Sequence, residues 1–184
     1  MLDDTWDGTA DLRRAFSRFG TGVTVVTCTS PALGPLGFTA NSFSSVSLTP
    51  PLILWSIGRD AVRHDPFAEA QDFAIHILAD DQQDLAEHFV RNGGDFDQFD
   101  WHDAGGVPYL EGCLARLACT RHEAVAAGDH TILIGRVTAI AQREGVGLAY
   151  MNSAYGTMAC DADGRRIERG ISPKGDARTG AAKE

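Results

Sequence analysis

The residues best suited to chemistry lie in one unusual stretch. Gly37–Ser47 reads Gly-Phe-Thr-Ala-Asn-Ser-Phe-Ser-Ser-Val-Ser, inside a run from Phe19 to Gly58 that contains no Asp, Glu, Lys, Arg or His. At an ordinary share of about 25% charged residues, a window of that length would hold roughly ten. Gly, Ser, Thr and Asn among apolar residues take their place. Buried neutral donors must each find a partner, because an orphaned hydroxyl or amide costs about 1–3 kcal/mol. Two readings are open at this point. One is a core strand followed by Ser-rich turns; the other is an uncharged polar cradle for a large neutral heterocycle with a phosphate tail.

The elements that must hold this stretch follow from the flanking pattern. Asp11 is placed to cap a short helix with Leu12, Ala15, Phe16 and Phe19 on one face. Val23–Thr29 is dense in β-branched residues and predicts a strand, antiparallel to a second one over Phe38–Ser47. Leu52–Ile57 reads as a fully buried strand after Pro50-Pro51, and Asp65-Pro66 as a helix start. Phe73–Leu78 predicts another strand, and Asp80 caps a helix carrying Leu85 and Phe89. Asn92–Gly106 has loop character, either a lid or a surface loop anchored by Phe96, Phe99 and Trp101. Alternation over Ala115–Thr120, the long apolar run Thr131–Gln142 with a bulge at Gly135, and Leu148–Met151 complete the strands. With no βαβ repeat, the economical architecture is mainly β: a closed or nearly closed antiparallel barrel with a few peripheral helices. Residues 1–10 form a mobile lead-in, 11–160 a single domain and 161–184 a disordered tail.

Composition narrows the partners. The chain has 184 residues and a formal net charge of −9, the wrong sign for nucleic acid or an anionic membrane surface. No apolar run reaches the ~20 residues of a membrane span, and the acidic start Met-Leu-Asp-Asp has no signal character. A cytoplasmic protein is expected. Cys28, Cys113, Cys119 and Cys160 lack Cys-x-x-Cys spacing and read as free thiols. Cys119 and His122 have a metal-like spacing without a second pair, so no metal is assigned. His64, His76, His88, His102 and His122 take core or surface roles by default. Gly-x-Gly-x-x-Gly, P-loop, Gly-x-Ser-x-Gly and His-Glu-x-x-His motifs are all missing.

Three patterns, taken in order, carry a resemblance. They are the Gly37–Ser47 stretch running into Pro50-Pro51-Leu52, Gly128-Asp129-His130 leading into Thr131–Val137, and Tyr150 with Tyr155-Gly156. Over roughly Leu12–Met158 the sequence resembles the flavin reductase domain family, the short NAD(P)H:flavin oxidoreductases that form the small component of two-component monooxygenases. The resemblance implies a split β-barrel homodimer that binds FMN, or FAD, and takes a hydride from NADH or NADPH for a partner oxygenase. It implies that Thr39, Ala40, Asn41 and Ser42 line the flavin ring and ribityl chain. Ser45, Val46 and Ser47 offer backbone groups to the ring edge, and Ser56 and Arg59 stand near the phosphate. His130 matches the histidine beside the nicotinamide, with a mere cap on the strand start as its other reading, and Tyr155 is either a ring contact or packing. Where the family often has Asn and Ser, this chain has Gly58 and Val62, which leaves the phosphate to Arg59 and main-chain N–H groups. A flavin-binding storage or sensor protein on the same barrel is the alternative. Such chemistry suits neutral residues: the cofactors carry the hydride, and the protein supplies orientation and fixed dipoles.

Overall fold

The computed structural model describes residues 8–158; residues 1–7 of the lead-in expected over 1–10, the tail expected over 161–184 and Cys160 lie outside them, and the first helix already begins at Thr9. The longest element is a hairpin of β9 (Ala115–Ala127) and β10 (His130–Gln142). Ala127 pairs with His130, so Gly128 and Asp129 alone make the turn. Gly128 has φ +62°, which suits the first central position of a type II′ turn, where glycine is favoured. The two arms then bind different neighbours. Residues 115–120 of β9 pair with β6 (Asp72–Ile77), and His130–Arg136 of β10 pair with β5 (Pro51–Gly58). The β9–β10 register slips at Ile134/Gly135, as the glycine suggested. A Cβ on Gly135 would run into the Phe73 ring.

Around that hairpin the seven strands run in the order β3–β2–β6–β9–β10–β5–β4, all antiparallel, with β2 at Thr24–Ser30, β3 at Gly34–Ala40 and β4 at Ser44–Leu48. The expected single strand over Phe38–Ser47 is thus two strands at opposite edges of the sheet, joined by Asn41, Ser42 and Phe43. From Ala40 to Ser44 four Cα steps of ~3.8 Å reach at most about 15 Å. A flat sheet would need six spacings of ~4.8 Å, about 29 Å. The sheet must therefore curl until its edges nearly meet. Ser42 fastens the junction: Ser56 N–H donates to its Oγ (2.9 Å), and its hydroxyl donates to the Ser56 carbonyl (3.0 Å).

The curl encloses a core in which β5 alternates, sending Ile53, Trp55 and Ile57 inward. Trp55 meets Phe67 edge-on at 5.6 Å and tilts against Phe38 and Phe73 at 6.1 and 6.2 Å. Its indole N–H has no partner among the described residues. A second core lies under α3 (Gln83–Arg91), where Leu85, Ala86 and Phe89 pack on Val23, Val25 and Leu78. Phe89 sits so close to Gly37 that a side chain there would strike the ring. The 92–106 loop is anchored by aromatics, Phe96 and Phe99 lying 4.9 and 5.8 Å from Phe89; its β7 (Trp101–Asp103) pairs with β8 (Pro108–Leu110). A third sheet joins β1 (Thr21–Gly22), β11 (Gly147–Met151) and β12 (Ala154–Met158), the last of which the sequence reading missed.

Helix starts differ from expectation. α1 spans Thr9–Phe16 with Gly8 at the N-cap and Asp11 in its first turn. α2 spans His64–Glu69, so Asp65-Pro66 falls within its first turn. Gln82, and not Asp80, precedes α3, where its side-chain oxygen accepts from Ala79 N–H (3.0 Å). Cys28, Cys113 and Cys119 are free, as expected. Burial pushes the Cys28 and Cys119 thiols up to about 12 and Cys113 to about 11, so none is a nucleophile at neutral pH.

His76 is fully buried beside the second core. Nδ1–H donates to the Val25 carbonyl (3.0 Å) and Nε2 accepts from Leu110 N–H (3.1 Å). Burial drives its pKa from 6.5 down to about 3, so the ring folds neutral. The unfolded chain takes up a proton below pH ~6.5, and stability falls as pH drops from there toward 3 by about 1.4 kcal/mol per unit. Urea unfolding at pH 7.5 and pH 5 should therefore differ by roughly 2 kcal/mol, and His76→Gln should flatten that dependence. An unchanged slope in the variant would show that other groups cause it. Ser42→Ala should cost about 1–3 kcal/mol by stranding both Ser56 backbone groups; urea unfolding indistinguishable from the parent would mean that the junction is held elsewhere.

Candidate active site

The end of the β9–β10 hairpin meets the end of β5. His130 stands opposite Gly58, and Arg59 N–H donates to the Asp129 carbonyl (2.9 Å). His130 Nδ1 lies 2.8 Å from Asp129 Oδ1. That hydrogen bond, then the His130 charge, holds the Asp129 carboxyl below the usual carboxylate range, with Arg13 of α1 adding to the effect. Gly58 has little room for a side chain beside them. A Cβ there would sit 2.9 Å from Asp60 Oδ1 and 3.8 Å from His130 Nε2. One residue further along β10, Thr131 Oγ1 bonds His64 Nε2 (2.8 Å), and His64 Nδ1 bonds Asp65 (2.7 Å), pinning α2 to the strand that starts with His130.

The link from β3 to β4 supplies the second wall. Thr39 donates its hydroxyl to the Ala86 carbonyl of α3 (2.6 Å), and Ser42 is bound to Ser56 as described. Both hydroxyls are therefore committed to the chain's own backbone. Ala40 turns its methyl into the core. Asn41 and Ser45 are exposed, Ser56 is half-buried, and Ser47 Oγ accepts from Thr49 N–H (3.2 Å). The β4–β5 register skips Val46. β4 is also an edge strand, so its outward backbone groups face no neighbouring strand in this sheet.

A cleft of about 160 Å³ opens beside this link, lined by Val23, Thr39, Asn41, Val90, Tyr150 and Tyr155. The two tyrosine rings stand edge to face at 5.1 Å. Burial first, then Glu87 and Tyr150, raise the Tyr155 phenol above its ordinary value, so it serves as a neutral hydrogen-bonding group. The structure thus unites Ser56, Arg59 and His130 at the hairpin end. It places Thr39, Asn41 and Tyr155 around the cleft, with Ser42 as the covalent and hydrogen-bonded bridge between the two groups.

One contributor had no sequence signal. Arg63 Nη2 donates to the Phe89 and Val90 carbonyls (3.3 and 2.9 Å) at the end of α3, and its guanidinium lies 5.8 Å from the Phe38 ring centre. Burial lowers its pKa from the ordinary value. It ties the segment after β5 to the helix that carries the Val90 wall. A side chain at Gly93 would collide with it.

With this geometry in place, comparison with known proteins gives a consistent result. The family pattern described as flavin reductase like domain matches residues 16–159. The chain is 49% identical over 151 residues to the FMN reductase (NADH) SmoA of Agrobacterium fabrum, covering 82% of this chain and 86% of that one. It is 46% identical over 151 residues to the reductase component of the flavin-dependent trigonelline monooxygenase of Acinetobacter baylyi, spanning 81% of this chain and 49% of that protein. The solved structure of the Streptomyces globisporus NADH:FAD oxidoreductase with NAD and FAD fragments superposes with a TM-score of 0.76 at 41% identity, over 84% of this chain and 94% of that one. The chain belongs to the flavin reductase like domain family and is a nicotinamide-dependent flavin oxidoreductase.

Proposed function

We propose that this chain is the small reductase of a two-component system, passing a hydride from NADH or NADPH to FMN, or to FAD, and releasing reduced flavin to a separate monooxygenase. The observation that carries the reading is the junction of the curled sheet, where the uncharged 41–43 link and the end of β5 meet the hairpin turn that carries Asp129 and His130. Such a place fits a flavin. The edge strand β4 and the register skip at Val46 offer backbone groups, Tyr150 and Tyr155 offer flat apolar faces, and Arg59 is an exposed cation at the rim.

In this assignment Thr39, Ala40, Asn41 and Ser42 shape the wall against the ring and ribityl chain. The first and last act through backbone position, since their hydroxyls are engaged. Ser45, Val46 and Ser47 present main-chain groups to the ring edge, where fixed neutral dipoles stabilise charge that builds on reduction. Ser56 and Arg59 take the phosphate, His130 the nicotinamide side, and Tyr155 packs against the ring. When bound, the flavin and nicotinamide supply the hydride acceptor and donor; the chain's residues hold the two rings in register and keep water out.

The curl completes a split β-barrel, built as one domain over about residues 11–160, and two copies form a homodimer. Exposed apolar side chains on the strands favour a second copy: Leu48 is 93% and Ile140 65% accessible, and Val46 on β4 and Val125 on β9 are exposed as well. The protein works in the cytoplasm; no helix among the described residues is long and apolar enough to cross a membrane. Purified protein should consume NADH or NADPH with FMN or FAD, followed by nicotinamide absorbance, and should sediment as two chains of 19.7 kDa. Bound flavin without turnover under any pairing would reject the enzyme reading, and a monomeric mass would reject the dimer.

A further inference from the structure

A cleft of about 580 Å³ lies between the β2–β3 turn and α2, and none of the junction residues lines it. Its size suits a small molecule. Pro31, Ala32 and Leu33 form the turn wall, with Leu33 left 61% exposed, and Pro66 and Ala70 form the α2 wall. Both walls are held in place. Ser30, 7% exposed, accepts from Ala32 N–H with its hydroxyl oxygen (3.3 Å). Phe67 anchors α2 in the core, Arg121 donates to the Ala68 carbonyl, and His64 bonds Thr131 (2.8 Å).

Charge in the cleft has one sign. Asp65 and Glu69 both line it, four positions apart in α2 and so on one face of the helix. Among the described residues no Lys, Arg or His lines it. One Asp65 oxygen lies 2.7 Å from His64 Nδ1, yet the side chain stays 84% exposed. The Glu69 carboxylate has no partner among the described residues. Nucleotide phosphates are anions, so this is not a second place for flavin or nicotinamide.

We infer that the cleft binds a small organic cation, its ammonium head beside Asp65 and Glu69 and its apolar body against Leu33 and Pro66. An ammonium brings three donors and a positive charge to two carboxylates, and the body covers apolar surface that water otherwise meets. Exposed carboxylates each contribute little and are screened by salt. The site is therefore a weak one, with a Kd of about 1 mM, and the fixed walls keep the ordering cost low.

Amide NMR of the FMN-loaded protein tests this with three probes of one body and different heads. 2-Phenylethylammonium should shift Thr29, Ser30, Leu33 and the Asp65–Gln71 signals saturably, and less tightly as NaCl is raised. 2-Phenylethanol should bind about 5-fold more weakly or worse, and 3-phenylpropanoate should leave these signals unmoved. Glu69→Gln should weaken the cation about 2- to 5-fold, the worth of one exposed charge pair, with flavin reduction unchanged; Asp65→Asn in addition should weaken it further. Equal binding of all three probes, or cation shifts confined to Asn41–Ser47, would overturn the site. So would shifts of the cleft signals with protein concentration alone, which would mean that a second copy fills it. Reductase activity is measured separately, and its absence would count against the proposed function and not against this site.

Discussion

The fold depends on a short piece of chain. Three residues, Asn41 to Phe43, must carry the backbone from one edge of a seven-stranded sheet to the other. They can do so only if the sheet curls, and the curl creates both the core around Trp55 and the cleft beside the link. Ser42 stands at this point and bonds both backbone groups of Ser56, doing with a side chain what a further strand residue would do. The β9–β10 hairpin makes the same curl possible from the opposite side. Its arms are shared between β6 and β5, and the Gly135 slip lets the strand bend over Phe73. The link and the hairpin turn then come together at the end of β5.

Electrostatics divide the site sharply. From Phe19 to Gly58 no side chain is ionisable as acid or base of the Asp, Glu, Lys, Arg or His type, and the next residues are Arg59 and Asp60. Charge therefore begins at the rim, joined there by Asp129 and His130 of the turn. Hydride transfer between stacked rings needs alignment and fixed dipoles more than a strong acid or base, and an interior without ions meets that need. Buried titratable groups elsewhere are silent. His76 is held neutral by its burial, and the buried thiols are held protonated.

Much of this was legible in the sequence because strands with one buried face announce themselves. Val23–Thr29, Leu52–Ile57, Phe73–Leu78 and Thr131–Gln142 were recognisable from β-branched density and apolar runs. The break inside Gly37–Ser47 was not legible. Nothing in a uniform run of small polar residues marks where a strand leaves one edge for another, and that depends on partners distant in the chain. For the same reason the acceptors on Ala86 and Ser56 that claim the Thr39 and Ser42 hydroxyls were not legible. Helix starts were misplaced by a few residues because Asp11, Asp65 and Asp80 satisfy capping statistics without occupying the cap. Arg63 had no local pattern at all; its role exists only because α3 ends beside it.

The central claim is that flavin binds at this junction and not at the larger cleft, of about 580 Å³, between the β2–β3 turn and α2. Amide NMR during FMN titration measures this directly. The account predicts that perturbed signals concentrate at Asn41–Ser47, Ser56–Arg59 and Asp129–His130. Perturbations confined to Thr29–Leu33 and Asp65–Gln71, with the junction signals unmoved, would contradict it.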